Sequence, residues 1–186
     1  MQKVFRSFKS AALDLLFPRQ CAGCNQEGLF LCESCAAGLS VIPPSCIVCK
    51  KLKPPMGRIK AGRTCRACRK KSDVFAFFSP YLYHNEIIRG LIHKLKYQLA
   101  EEIHRVLAGL LARSLAYFSF GLPPQAIMVP IPLYPSRERV RGFNQARLIS
   151  QELSAALGLV HAPDMLHKIK KTAAQMALSG EERRSN

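Results

Sequence analysis

Four short turns decide how this chain is read: Cys21-Ala-Gly-Cys24, Cys32-Glu-Ser-Cys35, Cys46-Ile-Val-Cys49 and Cys65-Arg-Ala-Cys68. All eight cysteines of the protein fall in these CxxC pairs. A CxxC turn directs two thiolates at one point, and a second such turn completes a tetrahedron of sulfur around Zn²⁺. Disulfides would require an oxidising compartment, of which the sequence carries no sign. A redox CxxC usually occurs once, near a βαβ pattern, not four times in succession. Two zinc sites are therefore expected. Sequential pairing groups Cys21, Cys24, Cys32 and Cys35, then Cys46, Cys49, Cys65 and Cys68, across intervening loops of 7 and 15 residues. Interleaved pairing, first turn with third and second with fourth, also satisfies the count. Sequential pairing is favoured because shorter loops close at lower entropic cost.

Such sites are closed, with four protein ligands and no open position, so a structural role is expected. The larger apolar residues around them are few and scattered, chiefly Leu29, Phe30, Leu31, Leu39, Val41, Ile42, Ile47 and Val48. Burial alone would hold this segment poorly, and metal must supply much of its stability.

Outward from the cysteines, charge is the next signal. The 186 residues include 28 Lys and Arg against 12 Asp and Glu, a formal +16. Eight thiolates with two Zn²⁺ would bring this to about +12. Between Lys50 and Lys71 stand 10 basic residues and no acid. Lys50, Lys51, Lys53, Lys60, Arg63 and Arg66 are the candidate nucleic-acid patch, although a solvated face would look the same. The stretch holds no aromatic residue, so phosphate contact rather than base stacking is expected to dominate. At the start of the chain, Lys3, Arg6 and Lys9 precede a short apolar stretch that Asp14 interrupts. An amphipathic helix in a cytoplasmic protein is expected there, not a signal peptide. No apolar run approaches the roughly 18 residues of a membrane span.

The lysine-rich stretch ends near Ser72-Asp73, where a domain boundary is placed: residues 1–72 with the N-terminal helix and cysteine turns, then 73–186. Val74 to Phe78 and Tyr81 to Tyr83 read as strands around a Ser79-Pro80 turn. Ile88, Leu91, Ile92, Leu95 and Leu99, then Ile103, Leu107, Leu110, Leu111 and Leu115, recur at helical steps, as two helices or one bent one. Ala126 to Leu133 suits a short buried strand that Pro130 and Pro132 terminate. A helix is expected from Phe143 or Asn144 to Leu157, with Gly158 as its C-cap. The intervening loop carries Arg137, Arg139, Arg141, Gly142, Asn144 and Gln145. Ligands of open α/β sheets bind beyond the strand carboxyl ends, and a helix N-terminus with arginine forks suits phosphate.

These residues resemble the ComF family of competence proteins, also described as amidophosphoribosyltransferase-like. The matching features, in order, are Leu15-Leu16-Phe17-Pro18, the paired cysteines, Leu91-Ile92-His93-Lys94-Leu95-Lys96-Tyr97, and Val129-Pro-Ile-Pro-Leu133 leading to Arg141-Gly-Phe-Asn-Gln145. Lys171-Thr172-Ala-Ala-Gln175 with Arg183 resembles the next family segment. The resemblance implies a small zinc-ribbon domain followed by an incomplete α/β type I phosphoribosyltransferase-like domain. It implies pyrophosphate contacts from Pro132 to Gln145, and a hood loop including Lys171, Thr172, Gln175 and Arg183. Phosphoribosyl pyrophosphate with Mg²⁺ would be the ligand, and DNA uptake the setting, with single-stranded DNA or a competence-machinery protein as partner.

One departure stands out. The acidic pair and Thr-Thr-Gly-type loop that hold the ribose and its 5-phosphate do not occur in these residues. A truncated product or fragment is the expectation, with a natural family variant without the loop as the less favoured alternative. Phosphoribosyl pyrophosphate binding is expected to be weak or absent, with little transfer activity by this chain alone. No catalytic residue is assigned. The alternative reading is a non-enzymatic zinc-ribbon module that binds nucleic acid or protein.

Overall fold

The computed structural model of the protein describes residues 18–50, 63–97, 100–172 and 179–182. The expected N-terminal helix lies outside the described residues. The chain divides into two compact units, Met1–Pro124 and Gln125–Asn186.

The first unit begins with a short hairpin. Gln20 and Glu27 form an antiparallel bridge, and the Gly28 amide donates to Arg19 O at 2.8 Å. Helix α1 (Glu33–Ala37) follows and carries the second CxxC. A second antiparallel bridge joins Arg63 to Ala76, next to a 3-10 turn over Arg69–Lys71. Helices α2 (Glu86–Tyr97) and α3 (Ile103–Tyr117) then pack against each other. The helical periodicity thus resolves as two helices, not one bent one. Asn85 starts α2: its Oδ1 accepts from the Ile87 and Ile88 amides at 3.1 and 3.2 Å. Glu86 in the first turn and Lys94 and Lys96 in the last complement the helix dipole. Ile88, Leu91 and Leu95 bury against a stripe that includes Ile103, Leu107, Leu110 and Leu115.

The strands expected over residues 74–83 do not form. Only Ala76 bridges, and Val74, Phe75, Phe77, Leu82 and Tyr83 are exposed. A run of β-prone residues makes a strand only when a neighbouring strand supplies a ladder, and here the ladder stops after the Thr64 amide donates to Phe75 O at 2.9 Å. Beyond that point single side chains turn inward instead. Phe78 meets the rings of Phe118 and Phe120 at 6.2 and 4.9 Å. The Tyr81 hydroxyl lies 3.0 Å from that of Ser114.

In the second unit, β1 (Ile127–Met128) pairs in parallel with β2 (Val160–His161), in register Ile127 with Val160 and Met128 with His161. The first strand ends before Pro130, as expected, but it spans only Ile127–Met128 and is not buried, with Ile127 exposed and Met128 half-buried. Parallel pairing requires a crossover, and here it consists of α4 (Pro135–Arg141) and α5 (Gln145–Leu157). Helix α5 packs on both strands. Its limits agree with the sequence: the Asn144 side chain accepts from the Ala146 amide at 2.9 Å, and Gly158 caps the other end at φ 64°. Helix α4 was expected as loop. Pro135 occupies its first turn and Gly142, at φ 83°, closes it, the usual placement of these two residues around a helix.

The α2–α3 core gives a direct stability test. Leu91 is wholly buried, so Leu91→Ala should cost about 2–5 kcal/mol. Denaturant unfolding of zinc-loaded protein, followed by its helical signal, measures this; a loss under about 0.5 kcal/mol would mean the stripe is not packed.

Candidate metal centres and anion pocket

The cysteines gather as two tetrads, Cys21, Cys24, Cys32 and Cys35, and Cys46, Cys49, Cys65 and Cys68, with all sulfurs of a tetrad within 4.8 Å of one another. Pairing is therefore sequential. Cys21 to Cys32, Cys24 to Cys32 and Cys49 to Cys65 are separated by 3.7, 3.7 and 3.9 Å. These separations far exceed a disulfide bond of about 2.05 Å, and all eight cysteines are free. A tetrahedron with Zn–S bonds of about 2.3 Å has S···S edges of about 3.8 Å. The tetrads fit that cage. No other group of three or more potential metal ligands occurs among the described residues.

Both tetrads follow one design. Every CxxC turn closes with the amide four residues after its first cysteine donating to that cysteine's carbonyl: Asn25 to Cys21, Ala36 to Cys32, Lys50 to Cys46 and Arg69 to Cys65, at 2.9 to 3.0 Å. After the first turn of each tetrad the chain passes through the left-handed region, at Asn25 (φ 61°) and Lys50 (φ 58°). The second turn of each tetrad instead sits on or beside a short helical segment, α1 or the 3-10 turn. Across each tetrad the first cysteine of the second turn donates its amide to the first sulfur, Cys32 to Cys21 and Cys65 to Cys46, both at 3.4 Å.

These amides set the thiol acidities. Burial works to raise Cys21, but the amides of Cys32, Cys24 and Gly23 outweigh it and bring the thiol down to about 6. The amides of Cys49 and Cys65 likewise bring Cys46 down to about 6. At the opposite corner, the neighbouring Cys32 sulfur and then burial push Cys35 up to about 12, and Cys65 does the same to Cys68. Four sulfurs this close cannot all ionise without a dication, and a metal that takes the last thiolate must displace its proton. Gly23 completes the first cage. A Cβ there would stand 2.6 Å from Cys35 Sγ and 3.0 Å from Ile87 Cδ1, so only hydrogen fits.

Basic residues surround the second tetrad. Lys50, Arg66, Arg69, Lys70 and Lys71 are exposed and Arg63 is half-buried. Among the described residues no carboxylate pairs with any of the six. Lys51, Lys53 and Lys60 lie outside the described residues. Sequence reading left out Arg69, Lys70 and Lys71, although they stand in the same acid-free run.

In the second unit a pocket of about 150 Å³ is lined by Pro132, Asn144, Arg147, Asp164, His167 and Lys168, among others. A smaller one of about 60 Å³ adjoins it through Lys168, with Tyr134, Ser136, Arg137, Lys171 and Thr172. Arg137 from the expected phosphate loop thus meets Lys171 and Thr172 from the expected hood. The Lys168 Nζ donates to Thr172 Oγ1 at 2.9 Å, a spacing of four that the sequence displayed and that went unread. Of the other predicted residues among the described ones, Asn144 lines the larger pocket and Arg139, Arg141, Gly142 and Gln145 line neither. Arg141 donates to Gln145 Oε1. Asn144 is buried, with its Nδ2 donating to Ile131 O at 3.1 Å while its Oδ1 caps α5. Gly142 closes α4, and Arg139 is exposed on that helix and lines neither pocket. Gln175 and Arg183 lie outside the described residues.

No family model matches the chain, and no solved structure is significantly similar to it. Curated proteins are. Competence protein F of Haemophilus influenzae is 29% identical over 170 residues, covering 89% of this chain and 66% of that protein. DNA utilization protein YhgH of Salmonella typhi is 32% identical, and its Salmonella typhimurium counterpart 31%, with the same coverage. The chain thus spans 66% of the length of these relatives.

Elemental analysis of purified protein should give two zinc ions per chain, one for each tetrad; folded, metal-free protein would contradict the assignment. Gly23→Ala should lose metal from the first tetrad and keep it in the second. Acidification should also release metal. Thiolates with folded-state acidity near 6 contribute stability that is complete above their ordinary 9 and is lost as pH falls through about 6. Zinc retention titrated with a chromophoric chelator should therefore fall steeply below about pH 6. Retention that does not depend on pH at all would contradict the thiolate assignment, because protons must compete with metal for thiolates.

Proposed function

The chain belongs to the ComF family, and we propose that it serves DNA uptake or use, holding single-stranded DNA on the basic face of its second cysteine tetrad. The relatives' names supply the DNA connection. The observation that carries the reading is the group of six cations, Lys50, Arg63, Arg66, Arg69, Lys70 and Lys71, with no carboxylate partner among the described residues. Unpaired cations on a rigid scaffold keep their charge for a polyanion, and the strand pays for contact by releasing counterions. No helix among the described residues is long and apolar enough to cross a membrane.

The second unit supports a further part of the same reading, a phosphoribosyltransferase-like anion site. Arg137, Lys168, Lys171, Ser136 and Thr172 offer donors around one small pocket. Its 60 Å³ and the adjoining 150 Å³ fall below the roughly 300 Å³ at which small-molecule sites begin. The pockets suit a diphosphate group with Mg²⁺ better than a whole phosphoribosyl ligand. The residues of this chain include no apolar strand that ends in two acids and leads into a Thr-Thr-Gly loop for the ribose end, so positioning of both halves, on which transfer depends, is not provided by these residues. On this reading residues 73–186 carry the transferase-like part and residues 1–72 the metal-bound DNA-binding part.

Fluorescence anisotropy with labelled single-stranded DNA tests the first part. Affinity should fall steeply with salt. Replacing Lys50, Arg66, Lys70 and Lys71 together with Gln should lower the slope of log affinity against log salt by about three. Salt-independent binding, or an unaltered slope in the variant, would remove the basic face from the account. For the second part, calorimetry with pyrophosphate and Mg²⁺ should show weak binding that disappears in an Arg137→Ala, Lys171→Ala variant. Micromolar binding of phosphoribosyl pyrophosphate with turnover would contradict it.

A further inference from the structure

One side chain beside the basic face is out of place for a structural residue. Phe75 keeps 57% of its surface in solvent, and Val74 and Phe77 beside it are 43% and 44% exposed. Its backbone is nevertheless fixed. The Thr64 amide donates to Phe75 O at 2.9 Å, and the Thr64 hydroxyl donates to Val74 O. Thr64 is itself only 2% exposed and precedes Cys65, a ligand of the second tetrad. The ring is thus presented by the hairpin that carries the second tetrad and not by a loose loop.

Two arginines of the basic face attend that ring. The Arg63 and Arg69 guanidinium carbons lie 4.7 and 5.7 Å from its centroid, within cation–π range. They do not close it off, since more than half of its surface remains open. An exposed aromatic ring flanked by unpaired cations matches what single-stranded nucleic acid offers: a π-face on each base and a phosphate on each link. A duplex has its bases stacked inside and would meet only the cations.

We infer that Phe75 is a base-stacking platform for single-stranded DNA, with Arg63 and Arg69 holding the flanking phosphates. The inference rests on the DNA-binding reading above and deepens it, by giving the face a preference for single over double strands. It replaces the expectation, drawn from the aromatic-free run Lys50 to Lys71, that stacking contributes little. The hairpin folds Phe75, beyond the end of that run, back against Arg63.

The test uses full-length zinc-loaded protein with a labelled oligothymidylate and a duplex of equal length. Phe75→Ala should retain wild-type zinc content, bind the single strand about tenfold more weakly, and leave duplex affinity and the salt slope unchanged. The protein contains no tryptophan, so Phe75→Trp creates a single indole. That variant should restore single-strand affinity, and its emission should be quenched by the oligothymidylate and not by the duplex. Single-strand affinity indifferent to Phe75→Ala, or an indole that stays unquenched in a formed complex, would overturn the platform while leaving the basic face standing; a protein partner for Phe75 would give that result. Wild-type protein that binds neither DNA would overturn the DNA reading and this inference with it.

Discussion

Four sulfur atoms within 4.8 Å of one another are stable together only if a dication shares them or protons stay on them. The first unit is built on this constraint, applied twice. Its hairpins are single bridges, and helix α1 spans only Glu33–Ala37; neither would persist in isolation. What encloses them is sulfur: Cys21 and Cys46 are almost wholly buried, and Cys32 and Cys68 nearly so. A sulfur cage able to hold a metal ion stands where a larger domain would have an apolar core. It also sets the backbone, because amides that would otherwise lack partners donate to Cys21 and Cys46.

The first cage is tied to the helix pair. Gly23 leaves room for Cys35 beside Ile87 of α2, Lys94 Nζ donates to Gln20 O at 3.1 Å, and Arg19 pairs with Glu102 at 3.1 Å. The second cage supports the basic face. It anchors Thr64 through Cys65, and Thr64 in turn holds the segment that displays Phe75. Sulfur tetrad, hairpin, arginines and ring form a single chain of dependence. A charge-only view of residues 50–71 misses its last link.

The sequence was most legible where local chemistry alone decides geometry. CxxC spacing dictates a metal turn whatever surrounds it, and short loops favoured the sequential pairing that the sulfur distances bear out. Helix α5 was equally legible, since Asn144 and Gly158 cap it by local hydrogen bonds and φ. Residues 74–83 formed no strands because a β-prone apolar run expresses a side chain's preference and not the presence of a partner strand. Helix α4 was missed although Pro135 and Gly142 bracket it, because three arginines suggested a binding loop. Arg141 and Asn144 show the remaining gap: a polar side chain in a promising motif can serve a neighbour, Gln145 in one case and Ile131 in the other.

The central claim, that metal and not apolar burial holds the first unit's N-terminal part together, is tested most directly by amide hydrogen exchange with and without a strong chelator. The account predicts that zinc removal abolishes protection of the amides of Asn25, Cys32, Lys50, Cys65 and Arg69, which close the turns or donate across the cages. Protection of Leu95 and Leu107 in the α2–α3 pair should persist longer, because their stripe is buried by its own residues. Protection of the five cage amides that survives complete zinc removal would contradict the account.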